Sequence, residues 1–198
     1  VADLDWRRGR LLDAEPRVLL DPNKLSSDGT VALSGYDISV DGNRLVYALS
    51  SSGSDWREWH VREIATGKDL PDVVKWGRFS GASWTKDGSG FFYSRFDEPS
   101  KTNEFKGPLY FQKVFFHKLG TTQSADRLVY ERKDQKEWGF YGGVTDDGRY
   151  LILHVSHGTD SRNRIYFQDL QATNVTTVEL LNDFDAEYEL AAGKLPVI

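Results

Sequence analysis

The sequence has no cysteine among its 198 residues. A disulfide framework and a thiolate metal site are therefore excluded, and nothing contradicts a reducing cytoplasm. It also lacks an excess of positive charge: 25 Lys and Arg against 30 Asp and Glu give a formal charge of −5. That is the wrong sign for a protein that grips phosphate backbones through clustered basic residues, so no nucleic-acid partner is expected. Long apolar runs are missing too. No segment approaches the ~20 residues that a membrane-spanning helix needs, and the opening Val1-Ala2-Asp3-Leu4-Asp5-Trp6-Arg7-Arg8 has no apolar signal core. No membrane partner is expected either. Helical periodicity is scarce, and only the first fifteen residues could hold a short helix.

What is abundant is aromatic surface. Six Trp, nine Tyr and eleven Phe make 13% of the chain, and flat, bulky side chains suit the pleated, half-buried surface of a strand. A phrase built for paired strands then recurs three times: Ile38 to Tyr47, Trp84 to Tyr93, and Val144 to Leu153. Each phrase centres on Asp-Gly, with an apolar residue three before the Asp and an apolar triplet starting four after it. Gly turns the chain through positive φ at no steric cost, while the Asp carboxylate bonds nearby N–H groups, so each phrase predicts a tight hairpin.

Further strands are expected at Trp59 to Ile64, Tyr110 to Leu119 and Arg164 to Leu170, with short outer strands at 127–130 and 178–181. The Asp-Gly spacings are 46 and 60 residues, the first within the ~40–50 residues of a four-stranded propeller blade and the second longer. A polar loop insertion at 97–108, between the second and third strands of its blade, accounts for much of the longer interval. The fold class is therefore all-β: a partial β-propeller of three to four consecutive antiparallel blades, read as one domain over 1–198. An open arc leaves blade edges uncovered, so self-association through them is expected.

A family becomes recognisable at Leu19-Leu20-Asp21-Pro22-Asn23, followed by Asp28-Gly29-Thr30-Val31-Ala32-Leu33 and Gly35-Tyr36. These resemble the propeller entry of the prolyl oligopeptidases. Collinear motifs continue the resemblance at Ser50 to Trp56, Leu70-Pro71-Asp72, Phe79-Ser80, Trp84 to Gly88, His117 to Thr121, Asp147 to Leu151, Asn163 to Tyr166 and Asp169-Leu170. The resemblance implies a seven-bladed propeller over an α/β-hydrolase domain in a cytosolic serine peptidase that cleaves short peptides after proline. This chain would be the gating part. The hydrolase domain and short proline-containing peptides would be its partners, no cofactor would be needed, and the chain alone would be inactive. The alternative is a stand-alone propeller that serves as a protein-interaction platform.

No Gly-x-Ser-x-Gly nucleophile elbow occurs. The nearest approach, Ser80-Gly81-Ala82-Ser83-Trp84, lacks the second glycine and precedes a hairpin, so Ser83 reads as structural. The resemblance makes Phe79 a substrate-pocket aromatic, against the simpler reading of a core ring. It makes Asp55 a domain-facing carboxylate that pairs with a basic residue near the pocket, against an Asp that caps its own turn. His154 and His157 point to opposite faces of a strand and would not share a metal. His60 and His117 stand alone in sequence. Asp183, Asp185, Glu187 and Glu189 alternate, as on one solvated strand face.

Overall fold

The computed structural model describes residues 4–5, 10–11, 17–99 and 109–189, with backbone alone for the first four. Strands β1 (Leu4–Asp5) and β2 (Arg10–Leu11) pair antiparallel. The short helix expected in this segment is therefore corrected at those positions to a two-stranded ladder.

Three four-stranded antiparallel meanders follow. The first holds β3 (Val31–Ile38), β4 (Arg44–Ser51), β5 (Arg57–Glu63) and β6 (Asp69–Gly77). The second holds β7 (Ala82–Trp84), β8 (Gly90–Arg95), β9 (Lys113–Lys118) and β10 (Arg127–Tyr130). The third holds β11 (Trp138–Val144), β12 (Tyr150–His157), β13 (Asn163–Asp169) and β14 (Thr177–Leu181). Each sheet is paired in chain order, the first strand at one edge and the fourth at the other.

The Asp-Gly phrases form the turn between the first and second strands of every sheet, and they do so with one set of bonds. Ser39, Thr85 and Thr145 each donate a hydroxyl to the Asp two residues on, at 2.6, 2.7 and 2.6 Å. The same carboxylates accept the N–H of Asn43, Ser89 and Arg149 at 3.0 Å. Gly42, Gly88 and Gly148 take φ of +73°, +66° and +75°, which an L side chain adopts only with strain.

The apolar triplets explain the stacking. Along β8, Phe91 and Tyr93 face one way and join Val46, Ala48, Trp59, Val61 and Val74 of the first sheet in one core. Phe92 faces the other way and joins Leu151, Leu153, Val155 and Tyr166 of the third sheet in a second core. Side chains alternate faces along a strand, so a sheet sandwiched between two others reads as a continuous apolar run.

Three points differ from the sequence reading. The first sheet's outer strand β6 contains Pro71 and was not anticipated; the ladder is irregular between the His60–Val73 and Arg62–Asp69 pairs, an edge bulge where proline's missing N–H costs no ladder bond. The strand expected from Tyr110 begins only at Lys113. The alternating acidic residues are also corrected: β14 ends at Leu181, and residues 182–189 form bends and irregular backbone rather than a strand. Residues 97–99 carry no regular structure, and the rest of the expected insertion, 100–108, lies outside the described residues.

Candidate functional site

A meander places its connections at two ends. The Asp-Gly turns occupy one end. The links between second and third strands, and those from one sheet to the next, occupy the other. Four non-glycine residues take left-handed φ among the described residues: Ser52, Trp76, Phe79 and Phe111, at +54°, +68°, +52° and +59°. All four lie at or beside that second end. Such conformations cost about 1–3 kcal/mol each and persist where the surroundings enforce them.

Phe79 sits on the strap that leads from β6 to β7, and both of its neighbours are fixed. The Arg78 carbonyl accepts Nε2 of the buried Gln112 at 2.9 Å. The Ser80 carbonyl accepts a guanidinium N–H from Arg57, and the buried Ser80 hydroxyl donates to the Ser94 carbonyl at 3.0 Å. Held between these anchors, the Phe79 ring stands 67% exposed. The core reading of this residue is thereby set aside.

Asp55 lies in the loop between β4 and β5, and its Oδ2 accepts from Arg78 Nη2 at 2.5 Å. The Arg78 guanidinium lies 4.8 Å from the Phe79 ring centre and 5.5 Å from that of Trp56, a cation–π arrangement on two rings. The structure thus brings Asp55 and Phe79 together through Arg78, a residue that sequence reasoning passed over. Gln112 was missed as well. Neither sits in a repeat or a motif, and only the fold shows that they meet.

The other candidates fall elsewhere. Ser83 accepts the Val144 N–H at 2.9 Å through its hydroxyl, a structural bond between inner strands. His154 packs near Tyr141, whereas His157 approaches Glu137 at 3.4 Å. His60 stacks on Tyr47 and meets Glu58 at 3.1 Å. His117 is far from solitary: its Nδ1 lies 2.7 Å from Asp126 and its Nε2 3.1 Å from Asp72, with all three side chains buried. Burial disfavours the imidazolium, but Asp126 and Asp72 outweigh it and hold the pKa above its ordinary value. Among the described residues no group of three or more His, Asp and Glu could hold a metal ion, and no helix is long and apolar enough to cross a membrane.

Successive four-stranded meanders stacked face to face, each entered at its inner strand and left at its outer one, are blades of a β-propeller. The chain belongs to the prolyl oligopeptidase N-terminal β-propeller domain family, whose model matches residues 4–194. It is 34% identical to prolyl oligopeptidase A of Galerina marginata over 197 residues, covering 89% of this chain and 27% of that protein. It is 36% identical to a prolyl endopeptidase of Elizabethkingia meningoseptica, covering 88% and 24%. Among solved structures, one from a study of two prolyl endopeptidases and their inter-domain dynamics superposes with a TM-score of 0.77 at 35% identity, covering 88% of this chain and 24% of that one. Prolyl oligopeptidase B of Galerina marginata, bound to a 35-residue substrate, superposes with a TM-score of 0.79 at 28% identity, covering 87% and 26%. The chain thus spans about a quarter of the length of these relatives.

Proposed function

We propose that this chain is the substrate-gating part of a cytoplasmic serine endopeptidase that cleaves short peptides after proline. Its catalytic triad is carried by an α/β-hydrolase domain outside these residues. Phe79 contacts the peptide, and Asp55 acts beside it through Arg78. No cofactor is required for that role.

The observation that carries the reading is the Phe79 strap. A large ring is left in water, in a strained backbone conformation, between two anchored neighbours. Folding gains little from such a ring, whereas a ligand that covers it gains an aromatic contact already fixed in place. Relatives named as prolyl endopeptidases support the substrate class. The absence of a nucleophile elbow from the sequence fits a division of labour in which this part selects and another cuts.

The test is Phe79→Ala in the full-length protein that carries this chain. KM for a proline-containing chromogenic peptide should rise about threefold to tenfold, the effect of losing ~1 kcal/mol of ring contact, while kcat and Tm hold. An unchanged KM at normal stability would refute the role. The chain by itself should show no turnover of the same peptide.

A further inference from the structure

The Phe79 strap has a counterpart. Phe111, in the link between β8 and β9, also takes a left-handed φ, +59°, and the residue is 41% exposed. It is anchored in the same manner. Its own N–H donates to the Lys136 carbonyl at 2.8 Å. The next residue is Gln112, buried to 3% exposure, whose Oε1 accepts the Phe140 N–H at 2.6 Å while its Nε2 donates to the Arg78 carbonyl at 2.9 Å. Gln112 therefore ties the two aromatic mounts together: Phe79 follows the acceptor of that last bond, and Phe111 precedes the donor.

Tyr110 completes the second mount. Its ring is 37% exposed, lies edge-on to Phe111 at 6.5 Å, and has the Lys136 ammonium 4.5 Å from its centre. Two strained, exposed rings coupled through one buried amide are poorly explained by folding, because neither ring gains burial in exchange for its backbone strain. Their common chemistry is an exposed aromatic face with a cation over a ring, Arg78 over Phe79 and Lys136 over Tyr110. That surface suits an extended peptide whose prolyl rings or apolar side chains lie flat on aromatic rings, as in proline-rich recognition grooves.

We infer that Tyr110 and Phe111 form a second peptide-contacting element, which engages a residue of the substrate beyond the one at Phe79. The inference rests on the peptidase reading above. It adds a length dependence: a short substrate meets Phe79 alone, and a longer one meets both mounts.

The experiment uses the full-length protein with two substrates, a blocked Gly-Pro chromogenic amide and a longer proline-containing peptide. Phe111→Ala should raise KM for the longer peptide about fivefold, the factor that ~1 kcal/mol represents, with kcat unchanged and the short amide unaffected. Phe111→Tyr should restore KM, and Tyr110→Ala should shift it in the same direction as Phe111→Ala. An unchanged KM for the longer peptide would overturn the inference. So would an equal loss on both substrates accompanied by a lower Tm, which would show the ring packing against another part of the protein. Phe79→Ala separates the two claims: if it leaves both substrates unaffected while Phe111→Ala acts on the longer one, the gating role of Phe79 fails and the second element stands.

Discussion

Replacing His117 by Gln should weaken the joint between the first two blades more than any surface change could. Asp72 lies on β6 of the first sheet, His117 on β9 of the second, and Asp126 just before β10. Asp126 also accepts the Tyr93 hydroxyl at 2.6 Å, and Asp72 the Gly120 N–H at 2.5 Å. Both ring nitrogens face carboxylate oxygens, and those carboxylates raise the His117 pKa and favour the imidazolium that donates to both. A glutamine carries one amide nitrogen and can serve only one carboxylate, which leaves the other buried and uncompensated. Removing one partner of a buried pair costs about 3–5 kcal/mol. At roughly 2–4 °C per kcal/mol for a chain of this size, Tm should fall by about 6–20 °C. The pH dependence gives an independent check. The folded-state pKa of His117 is raised, so its contribution is complete below the unfolded value of about 6.5 and is lost as pH rises through the folded one. Urea unfolding followed by tryptophan fluorescence, on the wild type and His117→Gln between about pH 6 and 9, should show a stability difference that shrinks towards alkaline pH. His117→Gln combined with Asp72→Asn should recover part of the loss, because the stranded charge is gone. A difference that is flat with pH, or a cost below about 1 kcal/mol, would refute the reasoning.

Gly90→Ala should also be severe, since an added Cβ would lie 2.1 Å from the His117 carbonyl and 2.7 Å from the Phe116 ring; overpacking against backbone costs about 1–3 kcal/mol or more, and the midpoint of urea unfolding reads it. The first sheet should make the chain self-associate, because Val18, Leu33, Tyr36 and Ile38 are exposed and line a groove of about 550 Å³ with Leu19, Leu20 and Leu45. Sedimentation should show mass rising with concentration, and a monomer at every concentration would mean that this face is already covered.

The hairpins were legible because their chemistry is local. Asp-Gly with a hydroxyl two residues earlier fixes a turn whatever lies around it, and the apolar triplets after Asp41, Asp87 and Asp147 then pair as expected. The outer strand β6 was hidden by Pro71, which argues against a strand unless the strand is known to be an edge. The acidic residues after Leu181 alternate like a strand, yet the backbone turns away there, and Asn163 ties it down through Ala186 and Tyr188. At the site, Phe79 and Asp55 could be picked out by family resemblance, but their junction through Arg78 could not. Gln112 and the Asp72–His117–Asp126 cluster were equally invisible. Their partners lie 34 and 28 residues from Gln112, and 45 and 9 residues from His117; blade stacking brings together all of them but Asp126, which the second meander itself folds against His117.

One further pattern concerns direction. The Asp37 carboxylate on β3 accepts the Trp84 N–H on β7, and Ser83 on β7 accepts the Val144 N–H on β11. At the turns, Arg44 donates to the Gly88 carbonyl and Lys86 to the Asp146 carbonyl. In these four bonds the earlier blade offers a side chain and the later blade backbone, while the Trp84 indole and the Gln168 amide run the other way, donating to the Asp37 and Val129 carbonyls at 3.1 and 3.3 Å. The third blade has Gly143 where its predecessors have Asp37 and Ser83, Asp146 where the second has Lys86, and Tyr150 where the first has Arg44, so it holds none of these side chains at the corresponding positions. The two faces of the arc are consequently unlike, so a two-fold pairing of like faces would not repeat the first-on-second stacking seen inside the chain. Any joining of copies that reuses this stacking must run head to tail, in a ring or an open series.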